Sequence, residues 1–545
     1  MCLLLQKLCV ELLFEIVSCL PPHDLRACRQ TCKRLSGLIE GSPLLQYMIS
    51  RANSCVVDVP SLPAPVDSRL DALRRWERAW ERLSAHTLVR GLRGPEGEVT
   101  HYAICDGFLI GVDKSRTPGY YYRPICAPPP SQDDDERGGW TRVDFPSRGA
   151  LLAVVFAVEH DLAVVVSHPD RSLGETMAHL RLLDFRTGAA HPLAADSTIP
   201  IMTLDVFDTG LQVQAEFVRN GDAILIQMKH EPSMERARRR VLPVVPHRME
   251  DRTHHSPTGM DTSLYTSQSF AVMAPDIVAV LQSQPDVLVL CRVPSADDPD
   301  PTLTPLCHLA LPALRSGLRH LPLRFDTDGT GIGTSKRGRD RYRRLPFAND
   351  TAHGVVRLTM LVTTMEGYRA LRWSIALSRK ALLLLAAAAA TGASSSVVPW
   401  GGWGPRAAYV FQEEFGWGKV RCAGQRWVWL IESEPSTLLV RDFNAFRAKR
   451  AHSERAEGRG PSADRHDAVR GALGASAVAV HSKSVLANAY FAEDVTSGLP
   501  YCETATQEHT FRPCRQILTD GEHLLGFVCE PVGGGPSSID LVAVE

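Results

Sequence analysis

The sequence predicts an α+β multidomain protein: a small N-terminal all-α unit, a connecting helix, and a large all-β C-terminal domain of β-propeller-like construction. Three observations predict it. Apolar residues recur with a helical period between residues 10 and 39. A tryptophan-bearing amphipathic segment follows at 68–84. From about residue 87 the pattern changes to short Val-, Ile- and Leu-rich runs broken by Gly, Asp, Asn and Pro. The boundaries drawn are 6–53 for the helical domain, 54–86 for the linker and connecting helix, and 87–545 for the β-rich domain, with inserts near 129–139, 328–345, 380–405 and 446–469.

In the first unit, Leu12, Leu13, Ile16, Val17 and Leu20 lay one apolar stripe along a helix beginning near Val10, and Pro21-Pro22 ends it. A second stripe runs Leu25, Cys28, Cys32, Leu35 and Ile39, as one helix or as two with a slight break; Pro22 and Asp24 stand near its start and Gly41 past its end. Cys28 and Cys32 fall within this stripe with no histidine pair nearby, so they read as small buried hydrophobes rather than a metal clip. So few residues lie near the lower limit for independent folding, and these apolar faces call for a partner surface.

The segment LCVELLFEIVSCLPPHDLRACRQTCKRLSGLIEGSPLLQ resembles an F-box, whose features fall here on Leu8, Glu11, Leu12, Leu13, Ile16, Leu20, Asp24, Leu25, Cys32, Lys33, Leu35 and Leu45. Cys9 stands where that family usually has proline, and Leu35 where Trp or Phe is common. The resemblance implies docking onto a Skp-type adaptor and, through it, a cullin-RING ligase. The partner-binding residues it implies are Leu8, Cys9, Glu11, Leu12, Leu13, Ile16, Leu20, Pro21, Leu25, Cys32 and Leu35, divided between the domain's own core and the adaptor surface.

Beyond a proline-punctuated stretch, Ser68 and Asp71 fit a capping box, and Leu70, Leu73, Trp76 or Glu77, Trp80 and Leu83 give a helical period. This helix reads as a strut that sets the orientation of the small unit against the large one. Glu77 and Glu81 offset its arginines, which argues against a membrane-surface helix.

Within the β-rich region a turn followed by an apolar run recurs: CDGFLIGV, EHDLAVVV, NGDAILIQ, QPDVLVLC and DGEHLLGFV. In HLRLLDFRTGAAHPL, Thr187-Gly188 marks a tight turn. Such repetition suits a ring of four-stranded sheets, with an array of sandwiches as the alternative. The stretches YAICDGFLIGV, LLAVVFAVEHDLAVVV and LRLLDFRTGAAHPLA are similar to fungal F-box proteins whose C-terminal regions are degenerate propellers. The acidic run at 129–139 and the basic runs at 235–240 and 335–344 read as solvated loops. Residues 446–469 read as a disordered insert, and 380–405 as a helix-prone run with a Gly/Ser tail.

Sixty basic residues against 61 acidic ones give a net charge of −1, so no global field recruits nucleic acid or anionic lipid. The 14 cysteines form no CxxC pair, which fits reduced thiols and a cytoplasmic or nuclear location, or both. DGTGIGTSK lacks phosphate-loop spacing, and no G-x-S-x-G elbow is present. The expectation is therefore a substrate-recognition subunit of a Skp-cullin-F-box type ubiquitin ligase: no enzyme, no cofactor, no metal, no nucleic acid or membrane partner, and a target protein that the sequence leaves unnamed. Alternatives are a propeller hydrolase or lyase with incidental N-terminal helices, or an adaptor-bound scaffold outside ubiquitination.

Overall fold

The computed structural model describes residues 7–543 apart from 61, 84–85, 93, 96–98, 106, 114–116, 126–138, 146–150, 168–176, 193, 195–196, 204–210, 219–222, 231–236, 244–266, 284–285, 295–302, 321–323, 327–344, 365–369, 392–395, 414–419, 432–436, 457–477, 482–483, 487–489, 507–515, 520–522 and 529–537. The expected loops at 129–138, 328–344 and 457–469 therefore lie outside the described residues.

Among the described residues four short helices precede the strands: α1 (Val10–Ser18), α2 (Pro22–Thr31), α3 (Lys33–Gly41) and α4 (Pro43–Ser54). Proline occupies the first turn of both α2 and α4, where its missing N–H costs nothing. The second stripe is two helices, because Cys32 is extended (φ −156°) and breaks it. That break corrects the expectation for the thiols: Cys32 is exposed and Cys28 only half-buried. Leu13, Val17, Leu25, Leu35, Ile39, Leu45 and Ile49 close a core of their own.

The connecting helix, α5 (Val66–Arg82), starts two residues before the expected capping box, behind Pro65 and with no side-chain cap. Pro65 already supplies the extended entry, so Ser68 lies inside the helix rather than at its end. Leu70, Leu73, Trp76, Ala79, Trp80 and Leu83 pack against Tyr47 and Val56 on one side, and against Val428, Leu430, Leu438, Val440, Ile517 and Leu524 on the other.

Among the described residues most strands beyond α5 form seven sheets of three to five strands, which follow one another along the chain, while Ser484–Leu486 pairs with Val495–Ser497 and Phe347–Asn349 with Val56–Asp58. The first holds Val99–Cys105, Phe108–Asp113, Gly119–Pro124 and Thr141–Asp144; the second Leu151–Ala157, Leu162–Ser167, Met177–Asp184 and Thr198–Thr203. The third holds Leu211–Val218, Ala223–His230 and Ala237–Pro243; the fourth Ser267–Ala274, Ile277–Ser283, Asp286–Arg292 and Thr304–Ala310. The fifth is built on Val355–Thr364, Ala370–Ser378 and Ala408–Gln412, with Leu318–His320 and Arg324–Asp326 along one edge. In the sixth, Val420–Ala423, Arg426–Ile431 and Thr437–Asp442 are followed by Tyr501–Thr506 and Val478–His481.

The seventh sheet takes Gln516–Thr519, His523–Val528 and Ser538–Ala543 from the end of the chain and His86–Leu92 from its beginning, in antiparallel register His86↔Ala543 and Leu92↔Ile539. Apolar cores join the first sheet to the second, the fourth to the fifth, the fifth to the sixth, the sixth to the seventh against α5, and the seventh back to the first. The strand Leu211–Val218 of the third sheet touches both Leu151–Ala157 and Ser267–Ala274. The circle is complete, which is a propeller-like ring and not an array of sandwiches.

The recurrent turn-plus-apolar runs are interior strands. Phe108–Asp113 and Leu162–Ser167 are buried at every position, as strands covered on both faces must be, and such strands read as continuous hydrophobic runs. The Thr187-Gly188 turn forms as expected: Asp184 Oδ1 accepts from the N–H groups of Arg186 and Thr187, and Gly188 N–H donates to the Asp184 carbonyl at 2.9 Å. Gly188 has φ +70°, and a Cβ there would sit 2.7 Å from Val143 Cγ1 and 2.8 Å from the Asp144 carbonyl oxygen, so glycine is required where the first two sheets meet.

The helix-prone run at 380–405 does carry helix, and two other segments expected to lack regular structure have it. Within 380–405, α6 (Arg379–Thr391) and α7 (Trp400–Ala407) are inserted between two paired strands of the fifth sheet, and Leu382, Ala386, Trp403 and Ala407 enter the core shared with the fourth. Residues 446–456 belong to α8 (Ala445–Ala456), not to a disordered insert. Residues 237–240 of the basic run lie in a strand.

Candidate functional site

Two places concentrate side-chain chemistry: the outer face of α1, and the seam where the helical unit meets the ring. On α1, Leu13 and Val17 face inward and are almost fully buried. Leu12 and Ile16, turned away from that side, are 54% and 50% exposed, and Val10, at the first helical position, is 53% exposed. Three large apolar side chains on one short helix in contact with water is an arrangement that marks an interaction surface.

The residues expected to meet a partner separate cleanly. Leu13, Leu25 and Leu35 are spent on the internal core. Leu8 and Leu20 are half-buried against it. Cys9, Glu11, Leu12, Ile16, Pro21 and Cys32 are exposed. Glu11 sits in the first turn of α1, where the free backbone N–H groups favour negative charge; a hydrogen bond to its own backbone N–H, then one from the Cys9 thiol, hold its carboxyl below the ordinary carboxylate value. Val10 belongs to the exposed surface and was missing from the expected set; its apolar character beside Leu12 was the available signal. Arg34 Nη2 donates to the Leu8 carbonyl at 2.6 Å, tying the start of α1 to α3.

The seam has a different character. The strand Val56–Asp58 pairs with Phe347–Asn349, Tyr47 and Arg51 both bond Asp58, and Ser54 bonds Glu77. Asn444 is central: its Oδ1 accepts from the N–H groups of Phe446 (2.9 Å) and Arg447 (3.2 Å), capping α8, while its Nδ2 donates to the Asn53 carbonyl at 2.7 Å. Asp442 is buried between Arg426 (Nε to Oδ2, 3.0 Å) and Arg447. Burial alone would push the Asp442 carboxyl up, yet the two guanidinium groups and the Asn444 backbone N–H hold it below its ordinary value. Arg426 also stacks over Trp76 and Trp80 of α5, at 4.4 and 4.8 Å from their ring centroids. Glu77 is driven the other way: desolvation raises it, against the pull of Ser54, Arg447 and Arg426. Arg447 reaches Glu81 at 3.4 Å. Nothing in the spacing of these residues along the sequence signals that they meet.

Among the described residues no group of three or more His, Cys, Asp or Glu side chains is placed to hold a metal ion, and no helix is long and apolar enough to cross a membrane.

Comparison with known proteins places the helical unit. Residues 5–47 match the family model of the F-box domain. No curated protein matches the chain in sequence. Among solved structures, the chain is similar to a luciferin-regenerating enzyme (7% identity, 64% of this chain and 87% of that one, TM-score 0.23) and to the WD40 domain of SCAP from fission yeast (7%, 84% and 93%, TM-score 0.29). It is also similar to a post-proline cleaving enzyme from Rickettsia typhi (8%, 67% and 53%, TM-score 0.25). Likenesses at those scores carry no argument about this chain, whose ring is established by its own strand order. The chain thus carries an F-box domain at residues 5–47, followed by a large β-propeller-like region.

Proposed function

We propose that the protein is a substrate-recognition subunit of a Skp-cullin-F-box type ubiquitin ligase, acting in the cytoplasm, the nucleus or both. The F-box binds the adaptor, and the ring binds the target protein. The observation that carries the reading is the exposure of Leu12 and Ile16 on one face of α1, with Val10 exposed at its start, while Leu13, Val17, Leu25, Leu35 and Ile39 are packed inward. Burying the exposed half of one such side chain is worth about 1 kcal/mol, so these residues contribute part of the free energy that binding must supply against ordering costs.

The seam supports the same reading. Its buried ion pairs, the Asn444 bridge and α5 fix the F-box against the ring. A fixed offset lets a ligase work by approximation, holding target lysines at high effective concentration near the transferring enzyme while the receptor itself makes no bond.

The test is co-purification of the full chain with a Skp-type adaptor, beside the Leu12→Asp, Ile16→Asp variant. The wild type is expected to form a complex at micromolar concentration or tighter, and the variant to lose it by tenfold or more while keeping the wild-type melting temperature. A wild type that stays free of the adaptor overturns the reading.

A further inference from the structure

Among the described residues, the docking face carries a second chemistry that the ring withholds from solvent. Of the cysteines in the described residues, Cys55, Cys291, Cys307, Cys422 and Cys502 are buried, Cys28 and Cys105 are partly covered, and only Cys9, Cys19 and Cys32 are exposed. All three belong to the F-box. Two of them bracket the apolar stripe: Cys9, Leu12, Ile16 and Cys19 stand at i, i+3, i+7 and i+10, one line along a single helical face. At 1.5 Å per residue the line is about 15 Å long, so a tripeptide-sized group attached at either end overlies the leucine and isoleucine between them. Cys32 lies off this line, at the break between α2 and α3.

We propose that adaptor docking is gated by mixed-disulfide formation at Cys9 and Cys19 with a small charged disulfide of the glutathione class; the inference rests on the adaptor reading above. Balance is simple. The Cys9 or Cys19 thiol gives up its proton, its sulfur forms a bond to one sulfur of glutathione disulfide, the S–S bond of that disulfide breaks, and the second glutathione leaves and takes up the proton. No further oxidant is needed, and a dithiol reverses the step. The adduct places carboxylates on an apolar face that binding must dry, and burying unpaired charge is costly. Adduct and adaptor then exclude one another, and by linkage the adaptor protects the same two thiols.

The test uses the full chain, reduced or treated with millimolar glutathione disulfide, with intact mass and peptide mapping to locate the adduct and titration calorimetry to read adaptor affinity. The expected result is an adduct at Cys9 and Cys19, adaptor affinity lowered tenfold or more, and recovery with dithiothreitol. A Cys9→Ser, Cys19→Ser variant is expected to show one affinity before and after treatment, whatever its value. A second reading needs no variant: saturating adaptor slows maleimide labelling of Cys9 and Cys19 at least tenfold. Protein carrying the mapped adduct yet binding the adaptor unchanged overturns the inference, as does resistance of both thiols to the disulfide. If reduced wild-type protein fails to bind the adaptor at all, the receptor reading falls and this inference with it.

Discussion

Leu12 and Leu13 are chemically identical neighbours with opposite fates. Leu13 is sealed in the F-box core and Leu12 stands in water, because a one-residue step turns a helical side chain through about 100°. Leu25→Ala is therefore expected to behave unlike the docking variants: deleting its fully buried side chain costs about 2–5 kcal/mol, read as a drop in the urea midpoint, while any protein still folded keeps the docking face. The periodicity revealed that the stripe exists but not which side of it faces the neighbouring helices, since that depends on where α2, α3 and α4 come to rest. At the seam the pH signature is specific. Glu77 titrates above its ordinary value of 4.5 in the fold, so the native state binds more protons than the unfolded one in that window and stability falls as pH rises through it. Wild type is expected to gain stability as pH is lowered from neutral toward 4.5, and Glu77→Gln to lose that gain, measured as the difference in urea midpoint against pH. Asp442, held below 3.8, acts in the opposite sense and only in stronger acid: its contribution is present above 3.8 and lost as pH falls further.

Helix α8 shows what a single cap decides. Its sequence, AFRAKRAHSERA, offers little apolar content, so composition alone places it with solvated chain. What orders it is Asn444, whose side chain closes the first turn, together with Arg447 paired to Asp442 and the burial of Ala448. Asn444→Ala removes both the cap and the bond to Asn53 and is expected to cost about 1–2 kcal/mol, seen as a lower melting temperature together with faster amide exchange in 445–456. The other helices were legible where a proline or an apolar period announced them, as at Pro22 and along α5. They were not legible at their starts: Pro65, not Ser68, opens α5. Interior strands announced themselves as unbroken apolar runs, whereas edge strands such as Thr141–Asp144, with one buried residue of four, gave no comparable signal.

The whole molecule is held by two long-range closures, neither of which the sequence displays. His86–Leu92 completes the sheet formed by the last three strands, and α5 spans the sixth and seventh sheets with Trp76 and Trp80 buried between them. A ring beginning at residue 86 is thus not a self-sufficient unit, although the change of pattern near 87 suggests a domain boundary there. Residues 86–545 expressed alone would present Val428, Leu430, Leu438, Ile517 and Leu524 to water. That fragment is expected to aggregate or to melt well below the full chain in differential scanning fluorimetry, and a fragment beginning at residue 60 to recover most of the difference.

The same closure imposes an order of events during synthesis. The F-box helices and α5 leave the ribosome first, but the strands that cover Trp76 and Trp80, at 426–442 and 517–524, are made only near the end, and the partner of His86–Leu92 comes last of all. For most of translation the nascent chain carries an uncovered aromatic helix and an unmatched first strand. Until those strands are made that helix is an open surface for holdase capture, and the ring closes only once Ser538–Ala543 has been synthesised.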